Sequence, residues 1–278
     1  MRRRRQSGCL GRLFLLGLAL CVGLLAWAMG DVASVDVASL STKNPARTAL
    51  MQQREREAAR EGKPYRIRQT WVSYERISPH LRRAVLIAED DAFFSHDGLD
   101  WNEIRASAKK DLQTGRFARG GSTITQQLAK NLWLGTERTP TRKLKEVLLA
   151  LRLERSLTKR RIFELYLNEI EWGDGVFGAE AAARRWFGVP ASRLTAKQSV
   201  RLAAVIINPR RFSPVEPPRR IERRIRMISS RMLRKGELTE TDYRDVRGLP
   251  PLPPPAADTL APEPDGEPPA ADTAATGG

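Results

Sequence analysis

The stretch PTRKLKEVLLALRLER, residues 140–155, predicts a helix that is largely buried. Proline occupies its first position, and Thr139 before it is a favourable N-cap. Its aliphatic residues fall on both sides of the helix and are Leu144, Val147, Leu148, Leu149, Leu151 and Leu153. Because a helix that is apolar all round must pack inside a protein, we expect the C-terminal half of this helix to lie in a helical core.

One acid in this helix, Glu146, shares the face of Leu149 and Leu153. A carboxylate there loses much of its hydration unless cations reach it. The nearby cations are Arg142, Lys143 and Lys145. From this helix alone, a structural ion pair at a helix end is the preferred explanation, and the neighbouring segments reverse that preference.

Helical spacing recurs on both sides of residues 140–155. The apolar residues that carry it are Leu81, Ala84, Val85 and Ala88 in one segment, and Ile221, Ile225, Ile228 and Met232 in another that stops at Gly236. Thr123 with Gln126, and Thr195 with Gln198, have the spacing of capping boxes. Only residues 65–74 alternate weakly, which predicts a short strand. We therefore expect a mainly α fold.

Composition predicts one good-sized domain with appendages. The chain has 278 residues, of which 41% are hydrophobic, and this is ample for a core. Residues 249–278 hold nine of the 18 prolines, five acids and no Lys or Arg, so we expect a disordered acidic tail. Because the formal net charge is +16 with those five acids included, the remainder carries +21. Such a surplus attracts nucleic acid, anionic lipid or phosphorylated substrates, and charge alone does not choose among them.

The N-terminus predicts a membrane anchor. Residues 1–12 are basic, and residues 13–30 contain no charge, before Asp31 marks the return to water. The positive flank predicts that the N-terminus stays in the cytosol, with the body across the membrane. A cleaved signal peptide is the alternative, since Ala26-Trp27-Ala28 has the form of a cleavage site. Residues 31–64 are predicted to form a solvated spacer, and residues 65–248 the catalytic domain.

The two cysteines, Cys9 and Cys21, lie in or beside the apolar segment. The exported domain therefore has no internal disulfide.

The block AEDDAFFSHDGLD, residues 88–100, places three consecutive acids at a predicted helix end, where the helix dipole disfavours negative charge. Phe93, Phe94 and His96 follow, and they could wall a pocket that raises a carboxylate's pKa by excluding water. A solvated helix end explains the block equally well. A metal site is not expected, because His80 and His96 are the only histidines and are not spaced as paired ligands.

The block GGSTITQQLAKN, residues 120–131, puts a flexible turn and hydroxyl groups at a helix N-terminus, a setting for phosphate. It lacks the Lys-Ser/Thr ending of a nucleotide P-loop, so ATP binding is not expected. Gln126, Gln127 and Lys130 continue along this helix, and such a polar row exceeds what capping requires.

These segments together resemble the peptidoglycan glycosyltransferase family in its monofunctional, membrane-anchored form. The matching stretches, in the family's order, are AEDDAFFSHDGLD, GGSTITQQLAKN, RKLKE (142–146), KRRIFELYLNEIEWGDGVFGAEAAARRWFG (159–188) and INPRRFSP (207–214). One departure is Ile207, where relatives usually have proline.

The resemblance implies a lysozyme-like helical domain with a head lobe and a membrane-facing jaw lobe. It implies polymerisation of lipid II into β-1,4-linked glycan, at the inner membrane with a periplasmic catalytic domain. Glu89 matches the catalytic base, and Glu146 the second glutamate, which assists pyrophosphate departure or orients the donor. Positions matching those that hold the donor's phosphates and sugars are Ser122, Gln126, Gln127, Lys130, Arg138, Lys143 and Lys145. Positions expected to shape and support the cleft are Asp90, Phe93, His96, Arg142, Glu164, Tyr166 and Asn168.

No cofactor is required by this chemistry, although the sequence leaves room for a divalent cation, Mg or Mn, between Glu146 and pyrophosphate. The expected partners are lipid II, the growing glycan strand, membrane lipids, and proteins of cell-wall synthesis or division. Three alternatives stay open: a muramidase of similar fold, a nucleic-acid binder, and a non-catalytic scaffold of cell-wall assembly. A muramidase has no use for so many cations, and a nucleic-acid binder does not explain the anchor or the carboxylates. We therefore expect no nucleic-acid partner.

Overall fold

The computed structural model describes residues 6–114, 121–137 and 139–252. Its α-helices are α1 Gln6–Ala33, α2 Ala49–Arg60, α3 Pro79–Glu89, α4 Trp101–Thr114, α5 Ile124–Ala129, α6 Pro140–Ser156, α7 Lys159–Glu169, α8 Ala179–Phe187, α9 Ala196–Val205, α10 Arg219–Arg234 and α11 Glu240–Arg247. A π-helix, Lys130–Leu134, continues α5. Helices make up 65% of the structure, which confirms the predicted mainly α class.

The strands are short and lie in one three-stranded sheet among the described residues. They are β1 Arg68–Gln69, β2 Glu171–Gly173 and β3 Val176–Phe177, in the order β1-β3-β2. β1 runs parallel to β3, with Arg68 opposite Val176, and β2 runs antiparallel to β3. The strand predicted at residues 65–74 is therefore real but only two residues long.

The core forms where α3, α5, α7, α9 and α10 pack together. The predicted stripe of α10 is buried, as are Leu81, Ala84 and Val85 of α3. Both predicted capping boxes are present at α5 and α9, and Thr139 caps α6 through the backbone N–H of Arg142. These signals fix where each helix begins, so they determine which side chains face one another between helices.

Helix α6 is buried on one face only. Glu146, Leu149, Ala150 and Leu153 are buried, whereas Leu148 and Leu151 are half-buried. The predicted burial of the whole C-terminal half is therefore wrong in part. Besides packing against the core, α6 contacts the C-terminal end of α1.

Residues 49–60 do not form the predicted solvated spacer. In α2, Leu50 and Met51 are buried against Phe177. Arg54 forms an ion pair with buried Glu171 at 3.0 Å. The sequence of α2 predicts a solvated helix because the helix has only these few apolar residues. Its first turn nevertheless packs against the rest of the protein.

The apolar N-terminal segment forms one long helix. Within α1, Leu15–Ala33 is long and apolar enough to cross a membrane, with a mean hydropathy of 2.0 and 12% of its residues buried. A signal sequence would meet the same test, so the structure supports membrane association and leaves cleavage as the alternative. The predicted acidic tail, beyond residue 252, and Arg2 to Arg5 lie outside the described residues.

Candidate active site

Glu89 is the last residue of α3, and it lies where α3, α5 and α10 meet. Its Oε1 accepts a hydrogen bond from the guanidinium of Arg224 at 2.5 Å. Its Oε2 accepts from Nε2 of Gln127 at 3.2 Å. The acid is thus held by one cation and one amide, and only 13% of its side chain is exposed.

Burial sets the basicity of Glu89. It raises the pKa of Glu89 above its usual range, because a carboxylate removed from water is disfavoured. The charges of Arg224 and Lys130 and the hydrogen bond from Gln127 oppose this shift. A carboxylate so placed is a stronger proton acceptor than an exposed one, and its cation keeps the ionised form accessible.

A hydrogen bond from Tyr166 fixes the orientation of Gln127. The hydroxyl of Tyr166 donates to Oε1 of Gln127 at 3.0 Å, so the amide Nε2 is directed to Glu89 and, at 3.4 Å, to the Ser122 carbonyl. Burial, assisted by Glu89, raises the pKa of Tyr166 well above 10. The phenol therefore stays protonated and serves as a donor throughout the physiological range.

Asp90 links the end of α3 to the start of α5. It accepts from the backbone N–H of Ile124 at 2.9 Å and faces Nε2 of His96 at 3.1 and 3.2 Å. The third acid, Asp91, pairs with Lys235 at the surface. Asp90 and His96 therefore hold the end of α3 against the start of α5, while Glu89 alone of the three acids contacts Gln127.

The rings that follow Glu89 in the sequence make contacts of their own. Phe93 is fully buried and packs on Phe163 at 5.6 Å between ring centroids. Phe94 is 52% exposed, and His96 is engaged with Asp90. The hydrogen bonds of Glu89 are made to α5 and α10, through Gln127 and Arg224. That these rings wall a pocket around Glu89 stays a prediction.

A cation cluster surrounds Glu146 in the first turns of α6. Arg142 donates to Oε2 of Glu146 at 2.6 Å, and Lys143 donates to Oε1. Lys143 also donates to the hydroxyl of Ser122 at 3.0 Å, which connects α6 to the start of α5. Glu146 is 3% exposed, so these two cations supply the compensation that its burial requires.

Lys130 is electrostatically coupled to both glutamates. It begins the π-helix after α5, and burial lowers its pKa, with the charge of Glu146 as the largest opposing influence. The charge of Glu89 also favours the protonated amine. Lys130 therefore electrostatically joins the Glu89 centre to the Glu146 cluster.

Two residues predicted to bind the donor contact other parts of the protein, and a third lies outside the described residues. Lys145 does not join the cluster: its ammonium lies 2.7 Å from Asp31 and 3.8 Å from the ring centroid of Trp27, on α1. The reason is helical geometry, because neighbouring residues point about 100° apart. Gln126 is buried in the α5 capping box and bonds the N–H of Thr123, so its amide carbonyl is already engaged. Arg138 lies outside the described residues.

Glu164 and Asn168 support the fold at some distance from the acids. Glu164 accepts from the backbone N–H of Tyr74 at 2.9 Å. Asn168 bonds the backbone of Val72 through both its oxygen and its nitrogen at 3.0 Å. Both residues fasten α7 to the segment that follows β1, and α7 carries Tyr166.

Arg224 is the site residue that sequence reasoning missed. It lies on α10, among many arginines that have no distinguishing neighbours in the sequence. The sequence did hold one signal, because residue 224 borders the apolar face formed by Ile221 and Ile225. A residue at such a border is expected to be half-buried, and Arg224 is. The Nε atoms of Arg224 and Arg142 are both buried without a hydrogen-bond partner among the described residues.

The arrangement joins a buried base to a separate cluster of cations. A base can take a proton from an attacking hydroxyl, and cations can stabilise a departing anion. Such an arrangement is suited to a transferase that moves a group from an anionic leaving group to a hydroxyl acceptor.

Comparison with known proteins supports this class. The family model described as transglycosylase matches residues 55–233. Biosynthetic peptidoglycan transglycosylase of Laribacter hongkongensis is 50% identical over 189 residues, which cover 68% of this chain and 83% of that protein. The proteins of the same name from Methylobacillus flagellatus and an Azoarcus species are each 48% identical, covering 68% and 76% of this chain and 82% and 89% of theirs.

The chain belongs to the transglycosylase family. It is an enzyme, a peptidoglycan glycosyltransferase, as the sequence motifs predicted. A crystal structure of penicillin-binding protein 1A from Haemophilus influenzae also aligns, over 69% of this chain and 19% of that one, with 19% identity and a TM-score of 0.38. That similarity is too low to carry an argument.

Proposed function

We propose that this enzyme polymerises lipid II into β-1,4-linked glycan, with Glu89 as the general base. Glu89 takes the proton from the 4-hydroxyl of the acceptor sugar while the hydroxyl oxygen bonds to C1 of the donor. The bond from C1 to the pyrophosphate breaks, and the electron pair leaves with the polyprenyl pyrophosphate. Attack from the face opposite the leaving group inverts the configuration at C1.

One observation carries the proposal: Glu89 is a buried carboxylate held at 2.5 Å from Arg224, and Lys130 is electrostatically coupled both to it and to Glu146. A base must be ionised yet strongly basic, and burial with a cation partner supplies both properties. The cations of the Glu146 cluster are suited to the charge that develops on pyrophosphate. They are Arg142 and Lys143, and Lys130, which is electrostatically coupled to Glu146, is suited to the same charge.

Glu146 is proposed to organise these cations. Its two oxygens accept from Arg142 and Lys143, so it holds both in place before the substrate arrives. Because both oxygens are engaged, Glu146 is a poor ligand for a divalent metal as the site stands. We therefore assign the electrostatic role to the protein's own cations.

We propose that α1 anchors the enzyme in the inner membrane with its N-terminus in the cytoplasm and its catalytic domain in the periplasm. The basic residues before the apolar segment support this orientation. The glycan strand and membrane lipids are the proposed partners, together with proteins of cell-wall synthesis or division. A substrate that carries a polyprenyl chain is reached most directly by an enzyme held at the same bilayer.

The experiment is polymerisation of lipid II by the purified full-length protein, followed by gel electrophoresis of the glycan. We expect chains longer than the starting disaccharide and release of polyprenyl pyrophosphate. In parallel, the protein is incubated with purified sacculi. Shortened glycan from sacculi with none formed from lipid II would instead identify a muramidase.

A further inference from the structure

Helix α6 carries two sets of cations on different faces. Arg142 and Lys143 face Glu146 in the site. Lys145 and Arg152, seven residues apart and so aligned along the helix, contact the last turns of α1. The helix that presents the pyrophosphate-binding cations is therefore also the helix on which the membrane anchor is docked.

The contacts between α1 and α6 are specific. The ammonium of Lys145 lies 2.7 Å from Oδ2 of Asp31 and 3.8 Å from the ring centroid of Trp27. The guanidinium of Arg152 donates to the backbone carbonyl of Val32. Ala28 and Val32, one turn apart, are 1% and 4% exposed, so this side of α1 is packed against the body.

Electrostatics explains why these groups meet. A helix ends in carbonyl groups without intrahelical partners and in the negative end of its dipole. The last turn of α1 contains no basic residue of its own. Lys145 and Arg152 supply the missing cations from α6, and Arg152 bonds one of the terminal carbonyls directly.

We propose that Lys145 is a positioning residue, part of an anchor clamp formed by Lys145 and Arg152 on Trp27, Asp31 and Val32. The clamp fixes the height of α6 above the bilayer, and therefore the height of the cations near Glu146. This inference rests on the proposed function, because it assumes that those cations bind pyrophosphate.

The clamp matters when enzyme and substrate are held by one bilayer. The polyprenyl chain sets the depth of the pyrophosphate, while α1 sets the depth of the enzyme. Because α1 and α6 are rigidly connected, the enzyme and the pyrophosphate are held at matching depths before they bind. Fewer orientations are lost on binding, so the free-energy cost of binding is lower. In detergent the substrate is free to adjust its depth, so the joint has much less effect.

The test measures kcat and KM of the full-length enzyme for lipid II in vesicles and in detergent. The variants are Lys145→Gln, Asp31→Asn, their combination, and Lys145→Arg. In vesicles, each neutral variant should raise KM about three- to tenfold with little change in kcat, in line with one ion pair and one cation–π contact. In detergent both constants should stay near those of the wild type, and Lys145→Arg should restore most of the vesicle activity.

The combined variant separates a clamp from a substrate contact. Because both changes remove the same interaction, the combination should lose no more than the worse single variant. If Lys145→Gln loses activity equally in both media while Asp31→Asn is harmless, Lys145 acts on the substrate and the clamp is wrong. Failure of the proposed function would look different, because the wild type itself would then polymerise lipid II in neither medium.

A second measurement does not depend on activity. Spin labels at Leu25→Cys and Thr241→Cys, with Cys9 and Cys21 replaced by serine, report the distance between α1 and the body. We expect a narrow distribution in the parent, a broader one in Lys145→Gln, and recovery in Lys145→Arg. An unchanged distribution in Lys145→Gln would overturn the clamp.

Discussion

Replacement of Glu169 by glutamine should stabilise the protein, and the gain should grow with pH. Glu169 is fully buried at the end of α7, and neither carboxylate oxygen has a hydrogen bond of normal geometry among the described residues, although nearby Gln69 partly offsets the effect of burial on its pKa. Burial raises the pKa of Glu169 from 4.5 to about 8. The folded state therefore holds a proton that the unfolded state releases above pH 4.5.

The sign and the magnitude follow from linkage. Between pH 4.5 and about 8, Glu169 is protonated in the folded state and ionised in the unfolded state. The contribution of Glu169 to the free energy of unfolding of the wild type therefore falls as the pH rises through this window, and it is constant at higher pH. At about 1.4 kcal/mol per pKa unit, the difference from pH 5 to pH 9 is on the order of 4 kcal/mol. Glutamine keeps the shape of the protonated acid and has no such dependence.

The assay is urea unfolding of the full-length protein in detergent at pH 5, 7 and 9. The free energy of unfolding of Glu169→Gln, minus that of the wild type, should increase at each step. Glu75→Gln is the matched control, since Glu75 is 58% exposed and should show no such trend. A difference for Glu169→Gln that stays flat across this range would refute the assignment of a buried, protonated acid.

Three further predictions concern the site and the membrane. Arg224→Gln should move the acidic limb of the pH–rate profile to higher pH, because Arg224 lowers the pKa of Glu89, and Arg224→Lys should move it less; an unmoved limb would separate Arg224 from the base. Lys130→Gln should weaken binding of the pyrophosphate donor more than binding of phosphate-free glycan, measured by equilibrium titration, and equal losses would count against a phosphate contact. Residues 101–119, which include exposed Trp101 and extend outside the described residues, should bind anionic vesicles in a chain truncated to begin at Asp31; binding lost at high salt supports this, and no binding at low salt refutes it.

The helices were predictable from sequence because their signals are local. The capping pairs at Thr123 and Thr195 and the isoleucine stripe of α10 each specify a helix without reference to the rest of the chain. The packing of α2 was not predictable, because Leu50 and Met51 acquire their burial from a distant strand residue, Phe177. A local sequence pattern shows that a helix is amphipathic. It does not show which surface of the protein a short apolar patch will pack against.

The residues of the candidate site were also predictable from the sequence only in part. Motif resemblance identified Glu89, Gln127 and the Glu146 cluster, which the structure brings together. It placed Lys145 with them, although the helix turns that side chain toward α1. It did not identify Arg224, since only the packing of α10 on α3 brings that arginine to Glu89.

The proposed role of Glu89 is to remove the proton from the attacking hydroxyl. The most direct test compares polymerisation of lipid II by Glu89→Gln and by Asp91→Asn, the neighbouring acid that pairs with Lys235 at the surface. Glu89→Gln should keep its fold and its binding of lipid II, and it should lose turnover by at least about 10²-fold, the contribution expected of base catalysis. Asp91→Asn should retain most of the wild-type rate. Near-normal glycan synthesis by pure, folded Glu89→Gln would contradict the account.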